Sequence, residues 1–159
     1  MKVALDTNVL AYVEGVGDEA RRAEAERLVA LLSIEGVILP TQVAGELYNV
    51  LRRKKGLSQA EAATAVMRWS DFYSLAPHTT QTFADAISLA AEHDKQIWDA
   101  LILSIAAACG CRLLLSEDMQ DGFVYRGVTV ANPFAERLHP LLASLLDTLS
   151  QDPPAGAPK

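Results

Sequence analysis

Four acids stand where a folding chain favours apolar side chains. Asp6 interrupts the opening "MKVALDTNVLAY", between Val3, Ala4 and Leu5 on one side and Val9, Leu10 and Tyr12 on the other. A carboxylate left charged and unpaired there is costly to bury. Asp118 follows Leu113, Leu114 and Leu115 in "RLLLSEDMQDG". Glu46 borders the apolar helical stripe of Val43, Leu47, Val50 and Leu51, and Asp99 opens the apolar run "WDALILSIAAA". Each has an ordinary alternative taken singly. Asp99 serves equally as a helix cap, Asp118 and Asp121 as turn residues, Glu46 as a solvent-facing residue or a partner of Arg53, and Asp6 as an acceptor of backbone N–H groups. Taken together they form a set of carboxylates that raise one another's pKa unless a positive charge joins them. A hard divalent cation, Mg²⁺ or Mn²⁺, answers that need. It takes oxygen ligands, keeps several waters and uses one or two carboxylates directly. The chemistry such an ion offers is activation of water and polarisation of a phosphoryl group.

Other reaction classes lack their residues. His78, His93 and His139 are scattered, and no Ser or Cys has the setting of a nucleophile. Cys109 and Cys111 flank Gly110 in a spacing unsuited to a structural disulfide, with no second pair to complete a zinc site, so reduced thiols are expected.

The acids must be positioned by short apolar strands alternating with helices. Strands are expected at 2–5, 37–39, 74–77, 112–115 and in "GVTVANPF". Helices are expected in "EARRAEAERLVALLS", with Ala23, Leu28, Leu31 and Leu32 on one side, in "QVAGELYNVLRRKK" after a Thr41 cap, and in "QAEAATAVMRWSDFY" after a Ser58–Glu61 capping box. Two more are expected at 80–93 and 97–109. This alternation predicts a single-domain α/β/α sandwich with a short central parallel sheet. In parallel sheets ligands bind outside the carboxyl ends of the strands, where Asp6 and Asp118 fall. The expected domain spans 1–135. A C-terminal amphipathic helix over 136–150 carries Leu138, Leu141, Leu142, Leu145, Leu146 and Leu149, and a disordered tail covers 151–159.

The totals agree with a cytoplasmic globular chain of one domain. It has 159 residues, 50% hydrophobic and 21% charged, with no apolar run long enough for a membrane span and no signal-like N-terminus. The net charge of −6 argues against a nucleic-acid partner. The four acids assigned to a metal account for most of that excess.

With those residues in place, "LDTNVLAY", the helical Glu46, "WDALILSIAAACGC", "LLLSEDMQDG" and "GVTVANPF" resemble a PIN domain, in the order found in VapC-type toxins of bacterial toxin–antitoxin pairs. The resemblance covers residues 2–134. It implies a Mg²⁺- or Mn²⁺-dependent ribonuclease acting on single-stranded or looped RNA. Asp6, Glu46, Asp99 and Asp118 would be the catalytic acids, with Asp6, Asp99 and Asp118 on the metal. Asn8 and Ser116 would orient ligands or water beside them, and Asp121 would help with a second metal. A homodimer and a cognate antitoxin protein are further implications. RNA needs positive contacts, for which Arg52, Arg53, Lys54 and Lys55 are candidates, although basic residues at a helix C-terminus also suit its dipole. The chain departs from the family by running on through the Leu-rich helix.

Competing functions fit less well. A receiver module needs adjacent acids after its first strand and a late Lys. An aspartyl phosphatase needs a second Asp two residues after Asp6. A nuclease for structured DNA needs clamping insertions that a chain this short lacks. A non-catalytic PIN-fold binding module for a protein partner or RNA is the main alternative.

Overall fold

A computed structural model describes residues 1–151; the tail expected at 151–159 lies outside the described residues from 152 onward. The elements follow in the order β1 (Val3–Leu5), α1 (Thr7–Val13), α2 (Glu19–Leu31), a 3₁₀ turn (Ile34–Gly36), β2 (Val37–Pro40), α3 (Thr41–Arg53) and α4 (Gln59–Phe72). They continue with β3 (Ser74–Ala76), α5 (Thr80–His93), α6 (Ile97–Ala108), β4 (Leu113–Leu115), β5 (Val124–Tyr125), β6 (Val128–Ala131) and α7 (Pro140–Gln151). The sheet order is β3-β2-β1-β4-β6-β5, parallel throughout except for β5, which pairs antiparallel with β6. This is the expected PIN-like sandwich.

Strands β1, β2, β4 and β6 are buried along their whole length, which is why β1, β2 and β4 read as apolar runs rather than alternating ones, with Thr129 the one polar side chain within β6. Helix α6 covers one flank with Ala100 to Ala106 all buried. The Ser58–Glu61 capping box forms at the start of α4. Both cysteines are free thiols, Cys111 buried and Cys109 half-buried. Among the described residues no helix is long and apolar enough to cross a membrane.

Several expectations are corrected. Helix α1 was not anticipated, because seven residues with Val9, Leu10 and Ala11 all buried carry no helical period. Strand β5 was missed as well; it has two residues and joins β6 through Arg126 and Gly127, both at positive φ (45° and 85°), the conformation of a two-residue hairpin turn. On α2 the buried side is Ala25, Leu28 and Val29, while Ala23 is exposed. Thr41 does not cap α3; Pro40 holds that position, with no side-chain bond.

Helix α7 packs on α2. Leu142 and Leu145 are buried, and Leu138, Leu141, Leu146 and Leu149 lie partly buried against the same core.

Candidate functional site

Parallel pairing sets Leu5 opposite Leu115, so the residues that follow, Asp6 and Ser116, emerge together at the carboxyl edge of the sheet. The Asp6 N–H continues the ladder to the Leu115 carbonyl (3.0 Å) and that of Ser116 to the Ala131 carbonyl (3.1 Å). Asp6 is 6% exposed and caps α1, its Oδ1 accepting from the Thr7 N–H at 2.7 Å. Its Oδ2 accepts from the Ser116 hydroxyl at 2.6 Å and from Asn8 Nδ2 at 3.2 Å. The Ser116 oxygen itself accepts from the Met119 N–H (3.2 Å), which leaves its hydrogen for Asp6. Asn8 is the hub. The same Nδ2 reaches Asp118 Oδ2 at 3.3 Å, and its Oδ1 accepts from the Glu117 N–H.

Glu46 approaches from α3, which starts where β2 ends. Its Oε2 accepts from the Thr7 hydroxyl (2.9 Å) and its Oε1 from Gln42 Nε2 (2.8 Å). Arg53 does not pair with it; its Nε donates to the Asn49 carbonyl. Asp99 lies half-buried in the first turn of α6, yet Gln96 is the cap there and no side chain caps the helix. The Arg53 pairing of Glu46 and the cap at Asp99 are therefore not realised, while Glu46 remains half-buried.

The electrostatics bind the four into one field. Burial pushes the Asp6 carboxyl up to about 6, against the lowering by Ser116 and Thr7, and the charges of Asp99 and Glu46 add to the rise. Asp99 is also raised, first by burial, then by Glu46 and Asp118, with Lys95 pulling the other way. Among the described residues no Lys, Arg or His forms an ion pair with any of the four. Neutral donors hold the geometry and leave the charge uncompensated.

That donor set, all oxygen and deficient in positive charge, fits a hard cation. Asp6, Asp99 and Asp118 could hold one. Among the described residues, however, no three His, Cys, Asp or Glu side chains are gathered as a ready ligand cage. The arrangement thus suits an ion that keeps most of its water and takes one or two carboxylates directly. Asp121 stands apart from this field: its Oδ1 accepts from the Asn132 N–H at 2.8 Å, tying the loop after β4 to the end of β6. Arg52 and Arg53 fall in the last turn of α3, and Lys55 donates to the Glu14 carbonyl. Thr7 and Gln42, which hold Glu46, escaped the sequence analysis.

Comparison with known proteins agrees with this geometry. The PIN domain family profile matches residues 3–121. No curated protein matches the chain by sequence. Among solved structures, the chain is similar to the Mycobacterium tuberculosis toxin VapC20, described as cleaving the sarcin–ricin loop, with 25% identity over 71% of this chain and 87% of that one and a TM-score of 0.62. It is also similar to a toxin–antitoxin complex from Klebsiella pneumoniae (17% identity, 84% and 98% covered, TM-score 0.63). The FitAcB structure from Neisseria gonorrhoeae is a third (18%, 83% and 98% covered, TM-score 0.59). The chain belongs to the PIN-domain family.

Proposed function

We propose that the protein is a Mg²⁺- or Mn²⁺-dependent endoribonuclease that hydrolyses phosphodiester bonds of single-stranded or looped RNA, as the toxin of a toxin–antitoxin pair. The observation that carries this reading is the convergence of Asp6, Glu46, Asp99 and Asp118 from four separate elements with no ion-paired cation among the described residues. Its likeness to toxins of such pairs supports the biological setting, with a cognate antitoxin as protein partner, a homodimer as the working unit and the cytoplasm as its place.

Mg²⁺ bound at the acids supplies a polarised phosphoryl group and a water of lowered pKa. The chain's own residues do the rest. Ser116 holds the Asp6 carboxyl, and Asn8 bridges Asp6 to Asp118, which orients both carboxylates. Glu46, held through both oxygens by Thr7 and Gln42, orients the attacking water and takes its proton. No protein nucleophile takes part.

The test is cleavage of a pool of labelled single-stranded RNAs by protein stripped of any co-purified partner, with Mg²⁺ or Mn²⁺ and with EDTA. Metal-dependent cleavage that disappears in Asp6→Asn and Asp99→Asn is expected. RNA binding without any cleavage across the pool would favour the non-catalytic binding module.

A further inference from the structure

A second feature adjoins the acidic edge. A cavity of about 210 Å³ is lined by Lys95, Gln96, Asp99, Asp118, Gln120 and Phe123, among others. That is smaller than the roughly 300–1,000 Å³ of a self-contained small-molecule site. It suits one unit of a longer chain, and Asp99 and Asp118, which line it together with Asp94, place that unit beside the reacting bond.

Lys95 is built into this cavity. Helix α5 ends at His93, and Asp94 takes a left-handed φ of 49° with its N–H on the Ala90 carbonyl. The Lys95 N–H donates to the same carbonyl at 3.2 Å. The turn lays the Lys95 ammonium over the Phe123 ring, 3.8 Å from its centroid. Phe123 is in turn braced edge-on by His93 at 5.3 Å, and its backbone is tied to Gln120 and Val130. Lys95 makes no ion pair among the described residues, although its charge is felt at Asp99. A half-buried cation held on an aromatic face has already lost much of its rotamer freedom. Beside Asp94, Asp99 and Asp118 yet paired with none of them, that ordering points to an anion that arrives with the substrate. An RNA strand entering a site of net negative charge needs such a contact. None of residues 52–55 lines this cavity.

We propose that Lys95, propped on Phe123, binds the RNA phosphate next to the one being cleaved, and that the cavity takes the single nucleotide between them. The inference rests on the ribonuclease reading. It makes an unpaired strand the substrate, since the bases of a duplex stay stacked and cannot enter singly. Gln96 and Gln120 supply amide donors and acceptors in the same cavity.

The test measures binding of a short fluorescent single-stranded RNA at constant Mg²⁺ across a range of monovalent salt, in an Asp6→Asn background so that the strand survives. Lys95→Ala should weaken binding and reduce the slope of log K against log salt by about 0.7, the share of one phosphate on a single strand. Lys95→Arg should restore the slope, and Phe123→Leu should weaken binding with a smaller change. A slope unchanged in Lys95→Ala overturns the proposal, as does a failure of the parent to bind RNA. Cleavage by the otherwise wild-type protein is followed in parallel. Normal cleavage with an unchanged slope removes only the Lys95 contact, whereas no cleavage with a slope that falls in Lys95→Ala removes only the ribonuclease reading.

Discussion

Asp6 and Glu14 sit at opposite ends of the same short helix, both largely buried, and are treated in opposite ways. Glu14 accepts from the Arg68 guanidinium at 3.0 Å and from the Trp69 indole N–H at 2.8 Å. Around it, Arg22 pairs with Glu26, and Lys55 caps the Glu14 carbonyl, all lining a groove between α1, α2 and α4. Asp6 accepts only from neutral groups, and its charged neighbours, Asp99 and Glu46, repel it. A buried acid matched by a cation is part of the fold's own architecture. A buried acid surrounded by further acids is kept at a cost to stability, a cost that binding of a cation, as proposed above, would recover.

The comparison breaks most visibly at Asp6. Asp6→Asn should reduce RNA cleavage to background while the metal-free protein stays at least as stable at neutral pH, read by urea unfolding. The reason is linkage. A carboxyl raised from 3.8 to about 6 holds its proton more tightly folded than unfolded, so stability falls as pH rises from about 4 to 6 and stays lower above that window, by on the order of 2–3 kcal/mol. Asn carries no charge and escapes this loss.

A subtler change sharpens the role of the neutral donors. Ser116→Ala removes the hydrogen bond that holds the Asp6 carboxyl down, so the acid limb of the pH–rate profile should move to higher pH. Metal affinity or cleavage should drop about 10–100-fold, the usual effect of losing a group that orients a ligand. At the other end of the helix, Glu14→Gln should behave in the reverse sense. It replaces the charged acceptor opposite Arg68 and Trp69 with a neutral one and, because Arg68 is exposed, costs up to about 1 kcal/mol in urea unfolding, with the cleavage rate of the folded enzyme unchanged. The smallest effect is expected at Arg53, in the exposed last turn of α3. Arg53→Ala should shift stability by less than about 0.5 kcal/mol, and a larger fall in RNA binding would mark it as a substrate contact.

The same contrast explains what could be read before the fold was known. Asp6, Asp99 and Asp118 were found because each stands at the end of an apolar run, a signal that survives in one dimension. Four of the six strands were found for the same reason, their burial on both faces making them continuous. Helix α1 was not, since its residues are buried on nearly every side and too few to show a period. Strand β5 depends on a turn at Arg126–Gly127 rather than on its two residues. Of the partners of Glu46, Thr7 was hidden because it comes from α1 and meets Glu46 only in three dimensions, whereas Gln42 lies one turn earlier on the same helix, a spacing that alone does not show which of its neighbours a glutamine bonds. Nor does sequence distinguish Asp121 from Asp118, three residues apart in one loop. Only the fold shows the first bound to a backbone N–H and the second facing Asn8.

The most direct measurement of the central claim is thermal unfolding of the partner-free protein with and without Mg²⁺, near neutral pH and again near pH 5, for wild type and Asp6→Asn. An uncompensated acidic edge that holds metal predicts a rise in Tm with Mg²⁺ at neutral pH, a smaller rise near pH 5 where Asp6 is protonated, and little or none in Asp6→Asn. A wild-type Tm indifferent to Mg²⁺ and Mn²⁺ at both values would contradict it.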